Sequence, residues 1–298
     1  NSFFGAKTMA KQLGVLTPED YVAWQYEYAS IRRDIPSYEK YFGSWEDRDL
    51  YIGQQGNNWQ EQVYGRTGQV FSNDLSIRGG TSKLMYSFNY ARFDDRAIMI
   101  GSDFNRNNVT LKLNNKPNDK VELAFTIRYS DTQINGGGAN EQNEVSSADS
   151  RLKHAVTYTP IPIDGLTTDD TDDQIAGYLQ NPIVSTYDND RLQIRRNYNM
   201  VGSFNWKIVE GLDFRTEVGF DNFNYNDDRF YGLSTYFVSN RPAAVNQDKP
   251  AIVLRDRSEL RYRIAPTVNY DFRKLLPQSH NLKLLVGNET ITSQVSAI

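Results

Sequence analysis

Val121-Glu122-Leu123-Ala124-Phe125-Thr126-Ile127-Arg128-Tyr129 decides the fold. Its odd positions are apolar or aromatic and most of its even positions are polar. That is the period-two signature of a strand whose two faces meet different surroundings. The same alternation appears upstream in Leu84, Tyr86, Phe88 and Tyr90, and again in Val109, Leu111 and Leu113. Downstream it returns in Met200, Phe204, Trp206 and Ile208, then in Leu212, Phe214, Val218 and Phe220. Leu260, Tyr262, Ile264, Val268 and Tyr270 repeat it, and Leu282, Leu284 and Val286 form a last run. Asp74 to Arg78 adds a shorter strand before them. The runs reach about ten residues, the length that crosses a bilayer as a tilted strand, against five or six for an ordinary globular strand.

The connections alternate in length. Gly79–Ser82, Asn115–Asp119, Val209–Gly211 and Leu276–Ser279 are short. Asp94–Asp103 is longer, Asn226–Arg257 is long, and 131–195 is a segment of roughly 65 residues, far beyond the usual loop. Tight turns at one end and long loops at the other are the layout of an outer-membrane barrel. The expectation is an all-β chain: an antiparallel transmembrane β-barrel segment of eight or nine strands with long extracellular loops. One short loop helix is expected over 17–35. Thr17 caps it, Pro18 opens it, Glu19 and Asp20 fill the first turn, and Pro36 stops it.

Composition narrows the function. The chain has 298 residues, 33 Lys+Arg against 37 Asp+Glu and a net charge of −4, with no basic footprint for nucleic acid. Mean hydropathy is −0.64, yet aromatics reach 13%, too many for a disordered chain. No stretch has the apolar length of a membrane helix. Cys is absent, which excludes disulfides and thiolate metal sites. Asn1-Ser2-Phe3-Phe4 carries no signal peptide, and both ends read as cut from something longer.

Nothing reads as catalytic: Gly-x-Ser-x-Gly, P-loop and His-Glu-x-x-His patterns are absent, so no enzyme activity and no cofactor is expected. Asp169-Asp170-Thr171-Asp172-Asp173 is the densest acidic run, but it lacks the glycine and distal glutamate of an EF-hand and reads as a solvated loop, so no metal site is assigned. Gly136-Gly137-Gly138 reads as a loop hinge. Aromatics outside the strands (Trp45, Trp59, Tyr158, Tyr187, Tyr231, Tyr236 and Phe237) are candidates for packing on a solute ring or for pinning loops together. Of these, Trp59, Tyr158, Tyr187, Tyr231 and Tyr236 are the substrate-binding candidates. Lys112, Glu122, Arg128, Lys207, Arg215, Glu217, Arg261 and Arg263 fall on the polar side of the alternation and are expected to line a lumen.

Three stretches resemble one family. Leu16-Thr17-Pro18-Glu19-Asp20-Tyr21-Val22 is similar to the loop-helix entry of SusC-like, TonB-dependent transporters. Asn58-Trp59-Gln60-Glu61-Gln62-Val63-Tyr64 resembles the segment before a barrel strand in those proteins, with Asn58 where Asp is more usual. Asp74-Leu75-Ser76-Ile77-Arg78-Gly79-Gly80-Thr81-Ser82-Lys83 resembles a hairpin of theirs, and Ser102-Asp103-Phe104-Asn105-Arg106 continues the register. The likeness covers residues 1 to about 130. It implies that 1–298 is an internal part of a barrel of roughly 22 strands. It further implies import of glycans or peptides across a bacterial outer membrane, a SusD-like surface lipoprotein as lid, and a TonB complex reached through an N-terminal part. The rival expectation is a complete soluble all-β carbohydrate-binding or adhesin-like module.

Overall fold

The computed structural model describes residues 1–136, 151–161, 181–235, 238, 249–274, 277 and 280–298. Ten strands form one antiparallel sheet. They are β1 (Ser2–Lys7), β2 (Gly68–Gly80), β3 (Leu84–Arg96), β4 (Asp103–Asn118), β5 (Val121–Asn135), β6 (Asn189–Val209), β7 (Leu212–Tyr231), β8 (Ala251–Asp271), β9 (Lys283–Gly287) and β10 (Thr290–Ala297). Each pairs with its neighbour in sequence, except that β9 and β10 both pair with β8. The sheet is an open meander whose outermost strands each keep an unpaired edge.

The strand expectation holds and needs extension. Ten strands replace eight or nine because β1 has no alternation to announce it and because β10 lies beyond the last run, which corresponds to β9 alone. β9 and β10 continue one line along β8, with the Asn288 N–H donating to the Pro266 carbonyl between them at 3.0 Å. The segment expected as a loop over 131–195 narrows, since β5 runs to Asn135 and β6 begins at Asn189. The Asn226–Arg257 connection narrows likewise, to the residues between Tyr231 and Ala251. At the β6–β7 turn Gly211 has φ 83, a conformation that favours glycine, and its carbonyl accepts from the Asp271 N–H at 2.7 Å.

The region between β1 and β2 holds more than one helix. α1 (Pro18–Arg32) starts as expected: Thr17 Oγ1 accepts from the Asp20 N–H at 3.2 Å. It ends earlier than expected, at Arg33 in the left-handed conformation (φ 61). Pro36 does not stop a helix but opens α2 (Ile35–Phe42), where its missing N–H costs nothing. A 3-10 helix (Trp45–Tyr51) and α3 (Trp59–Tyr64) follow, the latter capped by Asn58. α4 (Arg151–Thr157) and α5 (Pro182–Tyr187) lie between β5 and β6.

The buried apolar cluster lies in these helices rather than on the sheet: Tyr21, Val22, Ala29, Tyr38, Phe42 and Ile161 pack together. The middle of the sheet carries no buried core on either face. Among the described residues no second sheet covers it.

Candidate functional site

Cross-strand register sorts the side chains, because directly paired residues share a face. One row runs Phe88, Leu111, Ile127, Met200, Phe220 and Tyr262 from β3 to β8. The next runs Tyr86, Leu113, Phe125, Gly202, Val218 and Ile264. Leu84, Val109 and Phe204 fall on this same face. Leu84 and Tyr86 are 44% and 42% exposed. On β6 the apolar stretch runs from Tyr198 to Trp206, about nine residues, the length of a tilted membrane-crossing strand. Aromatics mark both ends: Tyr129 and Tyr198 meet with centroids 4.7 Å apart, and Phe204 and Phe214 at 6.2 Å. Beyond the tyrosines the face turns polar, with Arg92 paired to Asp94 at 2.7 Å and Arg196 to Asp131 at 3.2 Å. An apolar band bounded by aromatic rings matches the outer surface of a barrel.

The opposite face collects all eight charged residues singled out in the sequence. Ser87, Lys112, Thr126, Val201, Gly219 and Arg263 form one row across β3–β8. Thr110, Arg128, Asn199, Asp221 and Arg261 form another. Glu122 and Arg215 flank Asn205, Lys207 stands opposite Asp213, and Glu217 opposite Ser203. Most charges here are balanced locally. Glu217 accepts from Arg263 at 3.0 Å and also from Arg215, while Arg263 reaches Glu289 at 2.5 Å. Glu259 bridges Arg257 and Arg261 at 3.2 and 2.7 Å. Arg128 donates to Asn199 at 2.8 Å, and Lys116 lies 3.4 Å from Glu122.

A third cluster was not legible beforehand. Asp227, at the loop end of β7, accepts from Arg191 Nε at 2.7 Å and Nη2 at 3.1 Å, and from Arg229 Nη2 at 3.1 Å. Tyr225 Oη donates to it at 3.0 Å. All three charged groups are buried. The stretch Tyr225–Tyr231 is polar on both faces, so no apolar period revealed it as strand.

At the end where the long connections gather, two substrate-binding candidates meet. Trp59 on α3 and Tyr158 after α4 stand edge to face, centroids 5.4 Å apart and planes at 75°. The Trp59 indole N–H donates to the Thr159 carbonyl at 2.8 Å, and the Asn57 N–H donates to Pro160 at 2.6 Å. These bonds tie two distant loops together and bound a cavity of about 200 Å³. Tyr187 ends α5, which packs on α3, and is 67% exposed. Tyr231 is 0% exposed, with Arg229 donating to its hydroxyl at 3.4 Å, so it packs the wall rather than meeting solvent. Trp45 lies within the 3-10 helix, under the Arg48 guanidinium. Tyr236 and Phe237 lie outside the described residues, as do the acidic run Asp169–Asp173 and Gly137-Gly138. Gly136 is described: its φ is 90 and its N–H donates to the Arg191 carbonyl at 2.9 Å.

Two further groups stand out electrostatically. His154, buried in α4, is held down at about 4 by burial and by the neighbouring charges of Lys153 and Arg151. Burial pushes Tyr38 up to about 12. Among the described residues no cluster of His, Asp and Glu has the make-up of a metal site, and no helix is long and apolar enough to cross a membrane.

The described strands form an open antiparallel sheet whose fold has counterparts among solved structures. No protein-family model and no curated protein matches the chain by sequence. Among solved structures it is similar to the RagAB peptide transporter, with a TM-score of 0.63 at 14% identity. The RagAB peptide importer in its closed-closed state gives 0.63 at 12%, and in its open-open state 0.62 at 14%. In each case the match covers 100% of this chain and 35% of the other, so the chain spans about a third of the length of these neighbours.

Proposed function

We propose that this chain is part of the wall of a SusC-like outer-membrane importer. The single observation that carries the reading is the division of one open sheet into an apolar, aromatic-bounded face and a charged face, in strict register over six strands. The apolar face meets lipid, where only a closed barrel leaves no unpaired edge, and further strands complete the closure. The charged face lines the interior, where Lys112, Arg128 and Lys207 meet water, a plug or the passing solute. The helices and long loops at one end hold the solute and dock a SusD-like lid lipoprotein. No chemistry is done on the solute: uptake follows binding and is driven through TonB. Likeness in fold to a peptide importer supports peptides as the first solute class to try, with glycans second.

The test is uptake of fluorescent oligopeptides by cells carrying the full-length transporter and its lid. Uptake that requires both the transporter gene and an energised inner membrane supports the reading. Energy-independent leakage would make the protein a passive pore instead.

A further inference from the structure

The cavity beneath Trp59 is more specific than a loop surface. Its walls come from three separate parts of the chain: Leu16 and Tyr21 at the start of α1, Trp59 on α3, and Ala155 and Tyr158 at α4. Trp24, stacked on Tyr28 at 5.6 Å and 8°, stands at its rim. No charged side chain lines it among the described residues. At about 200 Å³ it is slightly roomier than an apolar cavity of about 150 Å³ that takes up benzene.

Most polar groups at the wall are committed elsewhere, the Asn57 carboxamide excepted. Asn58 caps α3 and donates to Gln12 at 3.0 Å. Gln60 bonds the backbone of Leu13 in both directions, at 2.9 and 2.8 Å. Thr157 Oγ1 donates to the Lys153 carbonyl at 2.8 Å. Few partners remain for the hydroxyls that cover a sugar. Trp59 and Tyr158 also meet edge to face and so build a slot rather than a flat platform. A mostly apolar, uncharged slot of ring size selects a flat apolar group over a sugar or an ion.

We infer that this cavity is a side-chain pocket for peptides, taking one neutral aromatic residue of the incoming solute. The inference rests on the importer reading and deepens it from peptides in general to peptides with an aromatic anchor. Burying one ring there favours an aromatic peptide over its alanine counterpart by about tenfold or more in dissociation constant.

The experiment uses the full-length transporter with its lid in detergent and three probes: acetyl-Gly-Gly-Phe-Gly-Gly-amide and its counterparts with Ala or Lys at the centre. The blocking variant is Thr157→Trp, which fills the mouth from an exposed position and leaves the buried walls alone. A second variant, Trp24→Ala, opens the rim. The expected result is tenfold tighter binding of the Phe peptide, lost in Thr157→Trp and reduced in Trp24→Ala, with the Ala and Lys peptides unchanged. Equal binding of all three peptides with uptake intact would overturn the pocket and leave the importer standing. A Phe preference that survives Thr157→Trp would place the aromatic site elsewhere. Weakened lid binding in Thr157→Trp, with the peptide preference unaltered, would give the pocket to the lid. Failure of every peptide to bind or enter would sink the importer reading for peptides, and this inference with it.

Discussion

Asp227 clamps Arg191 at two points, Nε to Oδ1 at 2.7 Å and Nη2 to Oδ2 at 3.1 Å, and the pair is almost fully removed from solvent. Arg229 shares the same carboxylate from the next position on its face. One carboxylate thus bonds two buried guanidiniums where β6 and β7 leave the apolar band. Asp227→Asn keeps the shape and removes the negative charge that both guanidiniums bond. The expected loss is about 3–5 kcal/mol of local stability. It reads out as faster protease cleavage between β5 and β6 in the folded protein. Cleavage at the wild-type rate would show that the cluster is not a structural tie.

Acid loosens the helices between β5 and β6. His154 titrates near 4 when folded and near its ordinary 6.5 when the segment opens. Between those values the open state binds more protons, so stability is complete above about pH 6.5 and falls as pH drops toward 4. The full loss is about 3 kcal/mol at most. Protease susceptibility of this segment against pH should show the fall, and His154→Gln should flatten it. A profile unchanged by that substitution would assign the acid response to another group.

The β6–β7 turn depends on one glycine. Gly211 has φ 83, and an added Cβ would come 2.9 Å from the Asp271 carbonyl oxygen. Gly211→Ala is expected to cost about 1–2 kcal/mol, seen as a lower urea midpoint for the folded protein. An unchanged midpoint would mean that the turn relaxes freely.

Much of this architecture was readable in the residues. Alternation in Leu84–Tyr90 and Val121–Tyr129 fixes both the strands and their faces, because a one-residue slip would reverse them all. Every charge singled out from Lys112 to Arg263 consequently falls on one face. What stayed hidden has physical reasons. β1 is six residues with no alternation. The outer ends of β6 and β7 are polar on both faces, so Arg191, Asp227 and Arg229 gave no period. Pro36 reads equally as a helix stop and a helix start, and the left-handed Arg33 decides between them. The meeting of Trp59 with Tyr158 depends on the path of two loops, which local sequence does not encode.

The account stands or falls on which face meets lipid. The chain contains no cysteine, so single cysteines at Leu111 and Lys112 can be placed in a full-length transporter cleared of any others. The two are neighbours in β4 and stand on opposite faces. In outer membranes, a charged thiol reagent should modify Lys112→Cys and spare Leu111→Cys, while a fluorophore at Leu111→Cys should be quenched by brominated lipid. Modification of both positions by the charged reagent, with no lipid quenching at Leu111→Cys, would contradict the barrel-wall reading.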